Sequence, residues 1–575
     1  SITSDDGTQI NTYLHIKFAP DISYKYQDYF KEFISENPIT HHTGINLHKA
    51  IISKRADGKA NKGYSGDGVT VAIAGDSIFH HQELDEIIKL DLIEPNALNK
   101  GIAKQQNQSE KFANNTNIAG IIASQVNDPS YGNINIRGIS PNVDLVNIAI
   151  VDTSFFIHDH TQEAERINVI KLLSDTDNDT STLGLSPNHE YQKISNETNK
   201  YSPYKSIKTS EINILNLNFT LSKSIDYDYS DKSIENYIWD ASSRKYNIHL
   251  DNEKELYKTK LGNTIFIKGL DFYTEKKSAL ISNHPAIINV ESYYFNDLGD
   301  KPTIPVTTNF KSKANWISVP INHVISICYV IDDIHCKNQN TTKFPDRYQS
   351  GYVGIFGNSI ASTSIASAIV TGVIALMLEA NPELTWRDIK YILANTAKVG
   401  NVKNMIENNA GYKFDAINNY GFGIIDAEAA VKMASTYKKE LGDLQVIKTS
   451  RQSSTDALEV KGTGKIVFTI DEDINIEAIT LTYNVKFIPP DMSFKNLTMS
   501  VDHPLSKIFK LITIPSYPGE DNDLKITLNN FYGESAKGNW IFHFLYEQDT
   551  EFIDYIDMKM TIYGTKKDIT KTANP

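Results

Sequence analysis

Residues 359–388 read SIASTSIASAIVTGVIALMLEANPELTWRD, and this stretch decides the fold. A turn of small residues containing Ser364 is followed by a long apolar run, which predicts a buried helix. Pro382 and Thr385 then begin a second helix, because proline and threonine are favoured at helix N-termini. Ser364 therefore lies on a tight turn directly before a buried helix.

Short apolar runs alternate with helical patterns on the N-terminal side of this stretch. Such alternation predicts an α/β domain, with a parallel sheet and helices on both faces. A polar stretch at about 152–210, rich in Asp, Asn, Ser and Thr, is predicted to be a surface insertion. The predicted elements are a strand in 66–78, a helix in 117–123, a turn followed by a strand in 138–151, strands in 207–219 and 262–270, and a Gly-rich turn followed by a closing helix in 418–434.

From about residue 445 the helical pattern is replaced by short strands separated by turn residues. This spacing predicts an all-β sandwich. The predicted organisation is an N-terminal segment at 1–40, the α/β domain at 41–440, the sandwich at 445–566 and a polar tail at 567–575.

The composition argues against two classes of partner. Net charge is −13 and no lysine or arginine cluster is present, so nucleic acid is not expected as a ligand. The longest apolar run, Ile365–Leu378, is interrupted by two hydroxyl residues, and we expect it to be too short to span a bilayer.

The chain starts at Ser1 without a signal peptide, which fits a processed, secreted or periplasmic protein or a trimmed sequence. Cys328 and Cys336 could form a disulfide or remain as thiols.

The segment around Ser364 resembles the serine motif GTSxAxP of the subtilisin/kexin family of serine proteases. Ser362 and Ala368 stand where that motif has its first Gly and its Pro. The resemblance covers most of residues 40–565 and implies a subtilisin-like domain. It also implies a triad of serine, histidine and aspartate together with an oxyanion donor, the four parts needed to hydrolyse a peptide.

The strands after residue 445 resemble the P domain of kexin-type proprotein convertases. Residues 538–540 (GNW) and 563–565 (YGT) match that domain's GTW and YGT segments. The resemblance implies a P-like sandwich following the peptidase-like domain.

The aspartate and histidine of the family's triad are both replaced in this chain. The strand motif that carries the aspartate corresponds to residues 66–78, with Gly75 at the aspartate position. Asp76 comes one residue later, where a regular strand turns it to the other face, so it is a surrogate acid only if the strand end is distorted. The histidine motif HGTxVAGxIA corresponds to residues 114–123, with Asn114 at the histidine position. An amide has no titratable nitrogen near neutral pH and cannot act as a general base.

The oxyanion motif is also altered. The family ends a strand with an asparagine there, whereas residues 265–270 (IFIKGL) put Leu270 at that position. In subtilisin, removal of the histidine alone lowers turnover about a millionfold. We therefore expect Ser364 to react as an ordinary hydroxyl, with a structural role at the helix N-terminus as the alternative to catalysis.

These observations leave three hypotheses for function. The first is a pseudoprotease that binds a protein or an extended peptide. The second is an active serine endopeptidase with a rebuilt site, using Ser364 and a base from 152–210 or from a partner. The third is a metal-dependent hydrolase in which His158 and His160 bind a metal together with Glu163 or Glu165.

Two acidic segments are candidate binding sites. Asp226, Asp228 and Asp231 could bind a basic peptide in a substrate cleft, or form a solvated charge run. Asp175, Asp177 and Asp179 resemble the start of a calcium loop but lack the Gly and Glu of an EF-hand, so a solvated turn is the alternative. No cofactor is expected to be required, structural calcium stays open, and the oligomeric state is not predicted.

Overall fold

The computed structural model describes the chain in separate stretches. The predicted N-terminal segment 1–40 lies outside the described residues, as does most of the polar insertion. The described residues are 45–52, 63–75, 78, 84, 87–91, 114–125, 137–149, 192–194, 212–218, 238–239, 242, 249–250, 264–270, 282–295, 302–303, 314–321, 323–327, 352–356, 362–399, 405–415, 420–452, 463–488, 497–503, 510–513, 524–546 and 552–571.

Helices and strands alternate in the N-terminal three quarters of the described chain. The helices are α1 (Leu47–Ile52), α2 (Asn114–Ala123), α3 (Ser362–Ala380), α4 (Trp386–Thr396) and α5 (Ala427–Thr436). The strands up to α5 are β1 (Thr70–Gly75), β2 (Ile87–Asp91), β3 (Asp144–Ala149), β4 (Gln192–Ile194), β5 (Ile214–Leu217), β6 (His249–Leu250), β7 (Ile265–Gly269), β8 (Ile287–Phe295), β9 (Pro302–Thr303), β10 (Asn315–Pro320), β11 (His323–Ile327), β12 (Tyr352–Phe356), β13 (Met405–Glu407) and β14 (Lys413–Asp415).

One large sheet forms the centre of this region. Its strand order is β10-β8-β7-β5-β1-β3-β2-β4, with β9 paired to β8. The pairs between β10 and β2 are all parallel, and only β4 and β9 pair in the antiparallel sense. β1, β5 and β7 are buried along their whole length, as expected for central parallel strands, which read as continuous apolar runs. The carboxyl ends of β1, β5 and β7 therefore meet at one edge of the sheet.

The serine helix α3 packs in the core against this sheet. It contacts β5, β7, β8 and β10, and nearly all of its residues are buried. The second helix begins where the sequence predicts it, because Thr385 caps α4 and forms a reciprocal capping box with Asp388.

The expectation about the length of the apolar run is wrong. Thr363–Ala380 is long and apolar enough to cross a membrane by length and composition, although 83% of it is buried inside the structure. Burial against the sheet accounts for its apolar character, because a core helix needs apolar residues on every side.

The closing helix follows a Gly-rich turn, as the pattern predicts. α5 starts at Ala427, and residues 421–422 form the turn before it. Gly421 and Gly423 adopt φ angles of 60° and 125°, a left-handed backbone that interrupts a helix. Asp426 then caps the helix by accepting a hydrogen bond from Ala429 N.

Two further sheets form the C-terminal region. Their strands are β15 (Gln445–Gln452), β16 (Thr463–Ile470), β17 (Asn475–Ile488), β18 (Leu497–Asp502), β19 (Lys510–Thr513), β20 (Leu524–Leu528), β21 (Gly538–Tyr546) and β22 (Phe552–Thr565). One sheet has the order β20-β17-β22-β15-β6 and the other β16-β21-β18-β19. Apart from β6, which joins β15 in parallel, the pairing is antiparallel. Phe468 and Trp540 of one sheet share a hydrophobic core with Leu481 and Met560 of the other.

The C-terminal sheets pack directly against the parallel sheet region. Tyr532 and Tyr563 belong to the same hydrophobic cluster as the core of the parallel sheet. Trp316 on β10 lies edge-on to Tyr532, with ring centroids 5.1 Å apart. The hydroxyl of Tyr412 donates a hydrogen bond of 2.7 Å to the carbonyl oxygen of Ile569. The two regions therefore share a buried contact surface with both apolar and polar parts.

Candidate active site

Ser364 lies in the first turn of α3 and is half-buried. One turn further on, Ser367 donates a hydrogen bond of 2.7 Å to the carbonyl oxygen of Ser364. Asn216 on β5 donates to Ser367 Oγ at 3.2 Å and to Thr371 Oγ1 at 2.9 Å. These buried contacts attach the start of α3 to the central strand β5, and so fix the position of Ser364 relative to the sheet.

The end of β7 touches the serine turn. A Cβ atom at Gly269 would lie 2.5 Å from the carbonyl oxygen of Thr363 and 3.0 Å from the amide nitrogen of Ser364. Only glycine allows this approach, since real Cβ contacts are almost never closer than 3.0 Å. Leu270 follows directly, is buried, and donates its backbone N–H to the carbonyl oxygen of Val290 at 3.0 Å. The buried Leu270, at the position where the resemblance implies an amide donor, thus directly follows the glycine that touches the serine turn.

The end of β1 carries no side chain, and a neighbouring amide fills the space. A Cβ atom at Gly75 would lie 2.8 Å from Oδ1 and 3.1 Å from Nδ2 of Asn115, and 3.0 Å from the carbonyl oxygen of Asn218. Asn115 is the second residue of α2 and is fully buried. The carboxamide of Asn115 therefore occupies the volume that a side chain at position 75 would need.

A second amide holds Asn115 in this position. Asn218 follows β5 directly and donates from Nδ2 to Asn115 Oδ1 at 2.6 Å. Its own backbone N–H bonds to the carbonyl oxygen of Ala74 at 2.8 Å, which keeps it beside the end of β1. Two carboxamides, neither of which titrates, thus meet at the carboxyl edge of β1 and β5.

The histidine position is the first residue of α2. Asn114 begins this helix, directly before the buried Asn115. The side chain of Asn114 lies outside the described part of the structure, as does the whole of Asp76. The role of Asp76 as a surrogate acid therefore stays a prediction.

The remaining candidate residues also lie outside the described residues. These are Asp226, Asp228 and Asp231 of the proposed basic-peptide site, Asp175, Asp177 and Asp179 of the proposed calcium loop, His158 and His160 with Glu163 and Glu165, and Cys328 with Cys336. Within the described residues, no group of three or more His, Cys, Asp or Glu side chains could hold a metal ion.

The chemistry available at this edge of the sheet follows from these groups. Ser364 Oγ forms no hydrogen bond with another described residue. The described contacts of the serine turn and of the end of β1 involve backbone groups, hydroxyls and carboxamides, none of which can take a proton from a serine hydroxyl near neutral pH. The carboxamides of Asn115 and Asn218 can donate and accept hydrogen bonds but do not exchange a proton near neutral pH.

Sequence reasoning missed Asn115 and Asn218. The signal for Asn115 was present, because it stands where the family motif HGT has its glycine. A large side chain directly after the histidine position indicates that the neighbouring space has changed. No comparable signal marks Asn218, which becomes noticeable only through its contact with Asn115.

Two buried ionisable groups lie elsewhere in the peptidase-like region. Burial raises the pKa of Glu291 on β8 to about 8, and a hydrogen bond from the backbone of Ser292 opposes this only partly. Burial lowers the pKa of Lys390 on α4 to about 7, against the attraction of Glu477. Neither group has a described contact with Ser364, so their charges bear on stability rather than on the serine.

Comparison with known proteins agrees with the fold and the serine helix. Residues 337–423, which contain Ser364, match the family described as "Subtilase family". Endoprotease aex-5 of Caenorhabditis elegans is 27% identical over 215 residues, which cover 36% of this chain and 36% of that protein. Kexin of Saccharomyces cerevisiae is 28% identical over 240 residues, covering 39% of this chain and 28% of kexin.

Proprotein convertase subtilisin/kexin type 5 of Rattus norvegicus is 32% identical over 138 residues, covering 24% of this chain and 7% of that protein. The chain therefore matches only about a third or less of the length of each of these three curated relatives.

Among solved structures, the serine protease of Aeromonas sobria shares the fold. Its crystal structure in complex with the chaperone ORF2 superposes with a TM-score of 0.60 at 14% identity, covering 93% of this chain and 96% of that one. The structure of the protease alone gives a TM-score of 0.59 at 14% identity, covering 98% and 99%. At this identity the likeness bears on the fold, which confirms the predicted α/β subtilisin-like architecture with additional sheets at the C-terminus.

Residues 337–423 thus resemble the subtilase family in sequence, and the chain has a subtilisin-like fold.

Proposed function

We propose that this protein is a catalytically impaired subtilisin/kexin-like pseudoprotease that binds a protein or an extended peptide. The family supplies a cleft at the carboxyl edge of the parallel sheet, where a peptide could lie beside Ser364. In the proposed function the peptide is held there and is not cut.

The observation that carries the proposal is the filled space at the end of β1. A triad acid at position 75 would need the volume that the Asn115 carboxamide occupies, 2.8 Å from the Cβ position. Without that acid and with Asn114 at the histidine position, no group at the motif positions can accept the serine proton. Leu270 at the oxyanion position would remove a further stabilising interaction, because an apolar side chain donates no hydrogen bond to a developing oxyanion.

An active serine endopeptidase with a rebuilt site is the second candidate. The half-buried Ser364 favours it, because its Oγ forms no hydrogen bond with another described residue and so is free to meet a base supplied from 152–210 or from a partner. The names of the relatives, an endoprotease, a proprotein convertase and kexin, also support this candidate.

Further parts of the proposal rest on resemblance to the kexin-type proteins. The C-terminal sandwich would be a P-like domain and would offer edge strands for peptide addition. A basic peptide would be favoured if Asp226, Asp228 and Asp231 line the cleft, and structural calcium could bind the loop with Asp175, Asp177 and Asp179. Secretion or export to the periplasm would place the protein where such partners occur.

A binding experiment that also detects cleavage tests the proposal. Fluorescent extended peptides of basic and of neutral sequence are titrated with the protein, and each peptide is afterwards checked by mass spectrometry. The proposal predicts saturable binding with intact peptide, unchanged in Ser364→Ala. Cleavage that disappears in Ser364→Ala would support the endopeptidase instead, and no binding to any peptide would contradict peptide recognition by the cleft.

A further inference from the structure

We infer that Gly75 and Asn115 are a coupled pair, in which the Asn115 carboxamide occupies the place of the missing acid and prevents its restoration by a single substitution. The inference deepens the proposed function, on which it rests, because it makes the impaired site a repacked arrangement rather than a simple loss. Asn115 acts on the site through position 75 and not through contact with a substrate.

The requirement for glycine at position 75 comes from space and not from backbone conformation. Gly75 is absent from the described glycines with positive φ, such as Gly66 and Gly68, so an alanine there would meet no backbone strain. The obstacle is the pair of contacts at 2.8 Å and 3.1 Å with the two terminal atoms of Asn115. Rotating the carboxamide by half a turn exchanges these two atoms and leaves the collision in place.

The Asn115 side chain has little freedom to move away. It is fully buried, it lies in the first turn of a helix packed against α3, and its Oδ1 accepts the 2.6 Å hydrogen bond from Asn218. Displacing it would break that part-buried bond and leave the buried Asn115 carboxamide without this donor.

A carboxylate at position 75 would also meet unfavourable chemistry. Two of the three atoms around its Cβ would be oxygens, Asn115 Oδ1 and the carbonyl oxygen of Asn218, both hydrogen-bond acceptors. An ionised carboxylate requires donors when it is buried. With glycine at position 115, the two side-chain contacts would vanish, and of the three nearest contacts the one of 3.0 Å with the Asn218 carbonyl would remain.

Thermal unfolding of a double-mutant cycle tests the coupling. The cycle compares wild type, Gly75→Ala, Asn115→Gly and the double variant. The inference predicts that Gly75→Ala lowers Tm by about 2–4 °C when Asn115 is present and by less than half as much when residue 115 is glycine. Gly68→Ala is the matched control, because its cost comes from a φ of 76° with no atom within 4 Å, and should be equal in both backgrounds.

A second measurement tests whether Asn115 blocks a working acid at position 75, which the unfolding cycle alone does not show. Gly75→Asp, Asn114→His and Leu270→Asn are combined, once with Asn115 and once with Asn115→Gly, and both proteins are treated with a fluorophosphonate probe. We expect the probe to label Ser364 at least tenfold faster in the protein with glycine at position 115 than in the protein with Asn115.

Equal labelling of the two proteins would show that Asn115 does not occupy the acid's place. A cost of Gly75→Ala that is independent of residue 115 would overturn the coupling itself. Labelling of the wild type would contradict the proposed function but would leave the coupling to be judged by the cycle.

Discussion

Arg387 and Glu477 form a buried ion pair that joins the peptidase-like region to the C-terminal sandwich. Arg387 lies on α4 and donates from Nε to Glu477 Oε2 on β17 at 2.8 Å, with a second contact between its Nη2 and Oε1. The side chains are 0% and 6% exposed. The remaining guanidinium nitrogen donates to the carbonyl oxygen of Gly442 at 2.6 Å, so the charge is paired on several sides.

Removing one partner of this pair should destabilise the protein strongly. Arg387→Ala leaves the Glu477 carboxylate buried without its cation, and we expect a loss of about 3–5 kcal/mol in the free energy of unfolding. Urea or thermal unfolding measures it. The matched control is Lys413→Ala, which breaks a pair with Glu407 whose side chains are 46% and 59% exposed and which should cost less than about 1 kcal/mol. Similar small losses for both variants would contradict the structural role of the buried pair.

The side chain of Asn283 acts as a strand partner for the edge of the sandwich. Its Oδ1 accepts from the Thr527 backbone N–H at 2.8 Å, and its Nδ2 donates to the carbonyl oxygen of Lys525 at 2.8 Å. These are the bonds that a parallel neighbouring strand would form with β20. The Thr527 hydroxyl adds a bond of 2.6 Å to the Asn283 carbonyl oxygen. Asn283 therefore closes this edge from the peptidase-like region.

Asn283→Ala should open that edge. We expect a loss of about 1–3 kcal/mol in the free energy of unfolding, because a buried donor and a buried acceptor lose their partners. Hydrogen exchange of the Thr527 amide should become faster, whereas Asn409→Ala, at an exposed asparagine, should leave it unchanged. Exchange at Thr527 that is as slow in Asn283→Ala as in wild type would mean that other contacts protect this edge.

Glu291 should make stability fall as pH rises from about 4.5 to about 8. Its pKa is about 8 in the folded protein, above the ordinary value of 4.5, so the folded state keeps a proton that the unfolded state releases. The contribution of Glu291 to the free energy of unfolding is complete below the pKa of the unfolded state. It is lost as pH rises through the pKa of the folded state. Glu291→Gln should flatten the dependence of Tm on pH in this window. Glu407→Gln, at an exposed position, is the control, and equal slopes for wild type and Glu291→Gln would refute the prediction.

Lys390 should make stability rise, rather than fall, as pH increases from about 7 to 10.5. Its Nζ donates to the Pro285 carbonyl oxygen at 2.6 Å and lies 4.2 Å from the centre of the Trp316 ring. Burial lowers its pKa from 10.5 to about 7, so the unfolded state binds the extra proton between these values.

The contribution of Lys390 to the free energy of unfolding should therefore increase from pH 7 to 10.5. It should be lost as pH falls through 7. The stability difference between wild type and Lys390→Met should change with pH in this window, while Lys413→Met should show no such change. A difference that is constant with pH would contradict the lowered pKa.

The serine helix and the glycine at the end of β1 could be predicted from local patterns. α3 is long, apolar and ends before Pro382 and Thr385, and the capping box with Asp388 is visible in the sequence because its members are three residues apart. Gly75 at the end of β1 follows from the continuous apolar run before it. These features depend on residues that are close along the chain.

The contact of the Asn115 carboxamide with position 75 could not be predicted from local patterns. Asn115, Gly75 and Asn218 come from three elements separated by up to 143 positions, and their contact depends on the spacing of a helix and two strands.

Labelling of the wild-type protein with a fluorophosphonate probe tests the central claim most directly, because only an activated serine reacts with it. The proposed function predicts no labelling of Ser364 and no digestion of casein, with wild type and Ser364→Ala indistinguishable. Labelling of the wild type that is abolished in Ser364→Ala would contradict the claim and would require a base outside the motif positions.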